Sequence, residues 1–158
     1  MFGMAPFKVE PLPSKIPRQP EVTCAMMHFL ASLGAFLLYL VVSLAMMVVF
    51  VFAYLRSTPH DEFAQLRNRN AAAAVGLGGA LVAYAIVLSR AIGFSTDILE
   101  VMLWGLIGLA IQVIGHHVLS RMLPRLYIAI EEGDMAAGIM KAAVAVTLGL
   151  LNAASMSP

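Results

Sequence analysis

Long unbroken apolar runs alternate with short polar ones along this chain. Phe29 to Tyr54, Ala71 to Leu88, Val101 to Leu119 and Ala136 to Ala154 form four such runs. The first two contain no Asp, Glu, Lys, Arg or His, and the next charge is Arg90. A hydrocarbon core about 30 Å thick takes roughly 20 helical residues to cross. Backbone in lipid must satisfy its hydrogen bonds within itself, by helices or by a closed barrel. Runs this long, without alternating polarity, exclude the barrel. The pattern predicts an all-α, integral membrane protein of four spanning helices.

The second pair of segments repeats the layout of the first. Arg56 recurs as Arg121, Pro59 as Pro124, Ala71 as Ala136 and Ala72 as Ala137, each 65 positions later (121 minus 56). Each copy reads as an apolar segment, an Arg-x-x-Pro elbow, a short charged loop and a second apolar segment. Two tandem helical hairpins are expected, 29–92 and 101–157. An even number of crossings per copy gives both the same orientation, related by an axis along the membrane normal.

The ends carry local signals. Thr58-Pro59-His60-Asp61-Glu62 starts a helix: a cap, a proline at the first position, and acids at the positive end of the dipole. Phe63 and Leu66 give that short helix an apolar side. Pro124 plays the same part in the second copy, with Leu126, Tyr127 and Ile130 apolar and Gly133 as the stop. Two short elbow helices along the interface are predicted. Asp97 and Glu100 resemble a capping box opening the third span. Arg90 suits the negative end of the second.

Residues 1–21 hold five of the eight prolines and are expected to be a flexible tail ahead of a membrane domain, 22–158. The first run is expected to be a retained helix rather than a signal peptide, whose apolar core would be only about 7–15 residues.

Composition sharpens this picture without changing it. Hydrophobic residues are 61% of the 158 and charged ones 12%, against roughly 25% charged in soluble domains. The net charge of +1 gives no reason to expect nucleic acid; the lipid bilayer is the expected partner. Arg56, Arg67 and Arg69 in one elbow, with Arg121 and Arg125 in the other, tilt both elbows toward the cytoplasm and the termini outward. Lys8, Lys15 and Arg18 in the tail pull the other way.

Chemistry-bearing residues are few. Lys141 lies inside the fourth span, where a charge is costly and often functional. It also lies near enough to the span's start to snorkel back toward Asp134 or Glu131. Asn152 shares that side of the helix, and Gln112 and His116 share a face of the third span. These four are either interhelical glue or the lining of a polar passage. Gly76, Gly79 and Ala83, with Gly105 and Gly108, form small-residue faces that pack within one subunit or between copies.

No cofactor or metal is expected. His116 and His117 point about 100° apart on a helix, His28 belongs near the opposite membrane face, and Cys24 is a lone cysteine. Gly76 to Gly79 lies within a span and lacks the Gly-Lys-Ser/Thr of a nucleotide loop.

Thr58 to Glu62, Asn70 to Ala73, Leu77 to Leu81, Leu103 to Ile107, Gly133 to Gly138 and Gly149 to Ala154 together resemble the YjfL family. This is a domain-of-unknown-function family of small bacterial inner-membrane proteins built from tandem hairpins. The likeness covers residues 58–154. It implies a four-helix inner-membrane protein with no catalytic residues to carry over, and relatives near envelope-stress and polyamine-related genes. The family pattern has Gly where this chain has Arg69, and often Cys where it has Ser155.

The expected function is non-enzymatic: a self-associating structural or envelope-stress-linked component, with a homo-oligomer expected from the small-residue faces. The alternative is a small oligomeric channel or transporter lined by Lys141, Gln112, Asn152 and His116. A redox protein with His116 as ligand is the third class.

Overall fold

The computed structural model describes residues 21–57 and 62–156. Thr58, Pro59, His60 and Asp61 lie outside the described residues, as does the tail to Pro20. The described residues form six helices and no strands: α1 (Glu21–Ser57), α2 (Glu62–Arg67), α3 (Ala71–Phe94), α4 (Ile98–Met122), α5 (Pro124–Glu131) and α6 (Met135–Ser155). Four of them, α1, α3, α4 and α6, are long and apolar enough to cross a membrane. The short α2 and α5 are the two expected elbow helices.

The chain divides into two units, one ending at Phe36 and the other beginning at Leu37. In the first, α1 runs from Glu21, eight residues ahead of the Phe29 start expected from apolarity, because nothing between Pro20 and Phe29 breaks a helix. From Cys24 to Phe36 every side chain is exposed. In the second unit, α1 retains 21 residues, Leu37 to Ser57, or about 31 Å of helix, enough to cross the hydrocarbon by itself.

α3 runs six residues beyond Leu88 and closes on Ser95, whose N–H donates to the Ala91 carbonyl. Arg90 therefore sits within the helix, its guanidinium 5.9 Å from the Phe94 ring centroid. The capping box is displaced by one residue from the simplest pattern. Glu100 N–H donates to Asp97 Oδ1 at 2.9 Å, but the Glu100 carboxylate accepts from Thr96 N at 2.8 Å.

Both elbows close with the same turn. Arg69 N donates to Leu66 O and Asn70 N to Gln65 O; Gly133 N donates to Ile130 O and Asp134 N to Ala129 O. The residue that makes each turn is left-handed, Arg69 at φ 61° and Gly133 at φ 88°. Asn70 then caps α3 and Asp134 caps α6, their side chains accepting from Ala72 N and Ala136 N. The turns correspond at a spacing of 64 (133 minus 69), one fewer than the 65 of the arginines and prolines. Ala72, rather than Ala71, thus takes the place of Ala136. Asn70 Nδ2 also donates to Ile130 O at 2.6 Å, tying one elbow to the other.

The core of this unit is a seam of backbone contacts between α3 and α6. A Cβ on Gly138 would fall 2.5 Å from Ala72 O, one on Gly149 would fall 2.6 Å from Ala83 O, and one on Gly79 would strike Ala142. Contacts that advance together on both helices mean that the two run parallel. In lipid, apolar side chains gain little by leaving one hydrocarbon for another, so close van der Waals approach is what joins helices. α1 attaches differently, through long side chains on one face. Met46, Phe50 and Tyr54 are buried at spacings of four, and Phe50 stacks on Tyr84 at 4.4 Å. Tyr84 donates its hydroxyl to Gly105 O at 3.1 Å, fastening α3 to α4.

Gly138→Ala and Gly149→Ala should each destabilise the protein by about 1–3 kcal/mol, because the new methyl meets backbone. Gly78→Ala, which has nothing within 4 Å, should be neutral or slightly stabilising. Reversible unfolding in mixed micelles measures all three. Arg69→Gly should gain about 1 kcal/mol by relieving the left-handed strain of a side chain. The same assay checks it, and Gly133→Ala should move the other way.

Candidate functional site: a buried polar cluster at the elbow end

The parallel seam brings Lys141 under α1. Its alkyl stem lies along α3, with Cδ 3.0 Å from where a Cβ of Gly76 would be. The helix tolerates that approach because Gly76 has no side chain. Lys141 is 3% exposed and lies six residues into α6, about 9 Å from its start. Its ammonium sits 5.6 Å from the Tyr54 centroid and 5.2 Å from that of Tyr127. Asp134, one of the two acids toward which snorkelling was expected, uses its carboxylate to cap α6. Ring faces carry partial negative charge, so two of them offset some of the cost of an ammonium away from water.

His116 joins the same group. Its ring centroid is 4.7 Å from Tyr54 and 5.5 Å from Tyr127, and its Nδ1 lies 3.2 Å from the Tyr127 hydroxyl. One turn away on α4 is Gln112, 4% exposed. Gln112, His116, Lys141 and Tyr54, with Phe50, Leu119 and Leu148 among the apolar walls, line one void of about 20 Å³. Two buried nitrogens of these lining residues, Gln112 Nε2 and His116 Nε2, have no hydrogen-bond partner among the described residues. His117 is exposed while His116 is buried, as adjacent helical positions require.

Three of the four polar residues singled out in the sequence therefore converge. Asn152 does not. It lies eleven residues beyond Lys141 on α6, about 16 Å along the axis, where its amide faces Gly108. Its Nδ2 is also buried without a partner. All four point into the bundle of a single chain.

The small residues expected to form packing faces are occupied within the chain as well. Gly76 meets Lys141, Gly79 meets Ala142, Ala83 meets Gly149, Gly105 meets Met46 and Leu88, and Gly108 meets Val87. Of the elbow markers, Arg56 and Arg121 are exposed and Pro124 opens α5; Pro59 lies outside the described residues. Sequence reasoning missed Tyr54 and Tyr127. Their signal was faint: an aromatic at the end of an apolar run, and another three residues after an elbow proline.

Residues 27–156 match the family described as Domain of Unknown Function (DUF350). The chain belongs to that family. It is 36% identical over 131 residues to the UPF0719 inner membrane protein YjfL of Escherichia coli K12, covering 83% of this chain and 99% of that one. The protein of the same name in Escherichia coli O157:H7 matches equally. No solved structure matches the chain.

Tyr127→Phe removes the hydroxyl at His116 but keeps a ring over Lys141, whereas Tyr127→Leu removes both. Each should lower stability in detergent unfolding, the first by about 1 kcal/mol. The second should lose about 0.5–2 kcal/mol more, the share of the ammonium–ring attraction.

Proposed function

We propose that this chain is a multi-pass protein of the bacterial inner membrane that acts without catalysis, as a self-associating structural or envelope-stress-linked component. The observation that carries the reading is the size of the void where the buried polar side chains meet. About 20 Å³ holds one water and no organic substrate. The location rests on the four candidate spans and on the name of the Escherichia coli relative. The elbows face the cytoplasm in this reading, as the arginines of both loops suggest. The shared turn of Arg69 and Gly133 favours a duplicated hairpin.

Self-association draws its support from α1. From Leu37 onward this helix holds the rest of its unit through Met46, Phe50 and Tyr54 on one face, while Leu40, Leu44, Val48 and Phe52 stay exposed. That outer face is open to a second copy. The glycines of α3 and α4, by contrast, are used up inside the chain. An oligomeric channel lined by Lys141, Gln112, His116 and Asn152 would first have to turn these inward groups around.

Single-molecule photobleaching of labelled protein in native-like vesicles should show more than one step per spot at low occupancy. Leu44→Trp or Val48→Trp should return the count to one. A uniform single step in the unaltered protein would remove self-association from this reading.

A further inference from the structure

The two adjacent histidines of α4 part ways. His116 turns into the bundle, while His117 is exposed on the side that meets lipid. Arg121, also exposed, follows four residues later in the last turn of α4. Residues four apart share a helix face, and both side chains line one open groove with Val113, Ile114 and Val118. Ile114 is 61% exposed and Val118 49%, and every described lining residue comes from α4.

Position along the helix sorts this lining by depth. Val113 lies nine residues (122 minus 113) from the end of α4, about 14 Å into the span. His117 lies five from it (122 minus 117), about 8 Å in, and Arg121 stands at the boundary. Histidines in spans nearly always face the bundle interior; one that faces lipid must find its partner there. The groove thus has an apolar floor and two polar groups at its mouth, the profile of a single lipid. A headgroup phosphate only accepts hydrogen bonds. His117 has an N–H to give in either protonation state, and Arg121 has five.

The charge at the mouth is of one sign. Arg125, at the start of α5, is exposed too, whereas Glu131 closes the far end of that helix. Each basic side chain near the surface favours an anionic headgroup over a zwitterionic one. We propose that the α4 groove ending at His117 and Arg121 holds one anionic phospholipid. Its phosphate rests on those two side chains and one acyl chain lies along Val113, Ile114 and Val118. The site is separate from self-association, which rests on α1, and it is the same for either orientation of the elbows.

The test is native mass spectrometry of the full-length protein, released from neutral detergent with equal amounts of phosphatidylglycerol and phosphatidylcholine of matched chains. One phosphatidylglycerol should be retained about fivefold or more over phosphatidylcholine. Arg121→Gln and His117→Leu should each lower that preference about fivefold. Arg56→Gln, which removes the same charge from an exposed side chain of α1, should leave it unchanged. Val118→Trp keeps the charge but fills the groove, and should lower retention as well. All four altered side chains are exposed, so none of these variants loses core packing. Inorganic phosphate should not displace the lipid. Equal retention of the two lipids would overturn the site, and an equal loss in Arg56→Gln would reduce it to a general attraction to basic loops. Displacement by inorganic phosphate would overturn a lipid as the occupant.

Discussion

Backbone-to-backbone approach of α3 and α6 is the constraint on which the second unit depends. Three glycines, Gly79, Gly138 and Gly149, let the two helices touch along their length. Lipid supplies no hydrophobic drive to bring helices together, so the contact must come from shape. Once α3 and α6 are fixed side by side and parallel, the other positions follow. α4 is fastened by the Tyr84 bond to Gly105, and the elbow helices are joined through Asn70 and the Ile130 carbonyl.

The same approach creates the polar cluster. Gly76 leaves room for the stem of Lys141, and the parallel register delivers its ammonium to the level of Tyr54 on α1 and Tyr127 on α5. The Lys141 ammonium lies near the rings of both Tyr54 and Tyr127. Gln112 Nε2 and His116 Nε2 beside it are buried without a hydrogen-bond partner among the described residues, and groups that bear the cost of such burial tend to mark a function. Its place at the elbow end puts the cluster within about two helical turns of the interface.

The elbows show how backbone demand and side-chain choice can part. Both turns require a left-handed residue; one copy supplies glycine and the other Arg69. The resemblance to the YjfL family had pointed at this position, as the place where family members have glycine. The geometry gives the reason.

Element type, number and approximate ends were legible in the chain because lipid enforces them: runs of about 20 apolar residues must be helical, and Asp97, Pro124 and Gly133 punctuate them by local chemistry, whereas the caps at Asn70 and Asp134 emerged only from the fold. Lys141, Gln112 and His116 stood out for the same reason, as polar groups in apolar runs. Their meeting was not legible, nor was the exclusion of Asn152 from it. Those depend on which faces of α3, α4 and α6 turn toward one another. Small-residue stripes permit close packing without naming the partner, and here the partner lies within the same chain. Tyr54 and Tyr127 are 73 residues apart (127 minus 54), and no local pattern relates them. Only the fold, by seating one lysine between them, gave the pair its role.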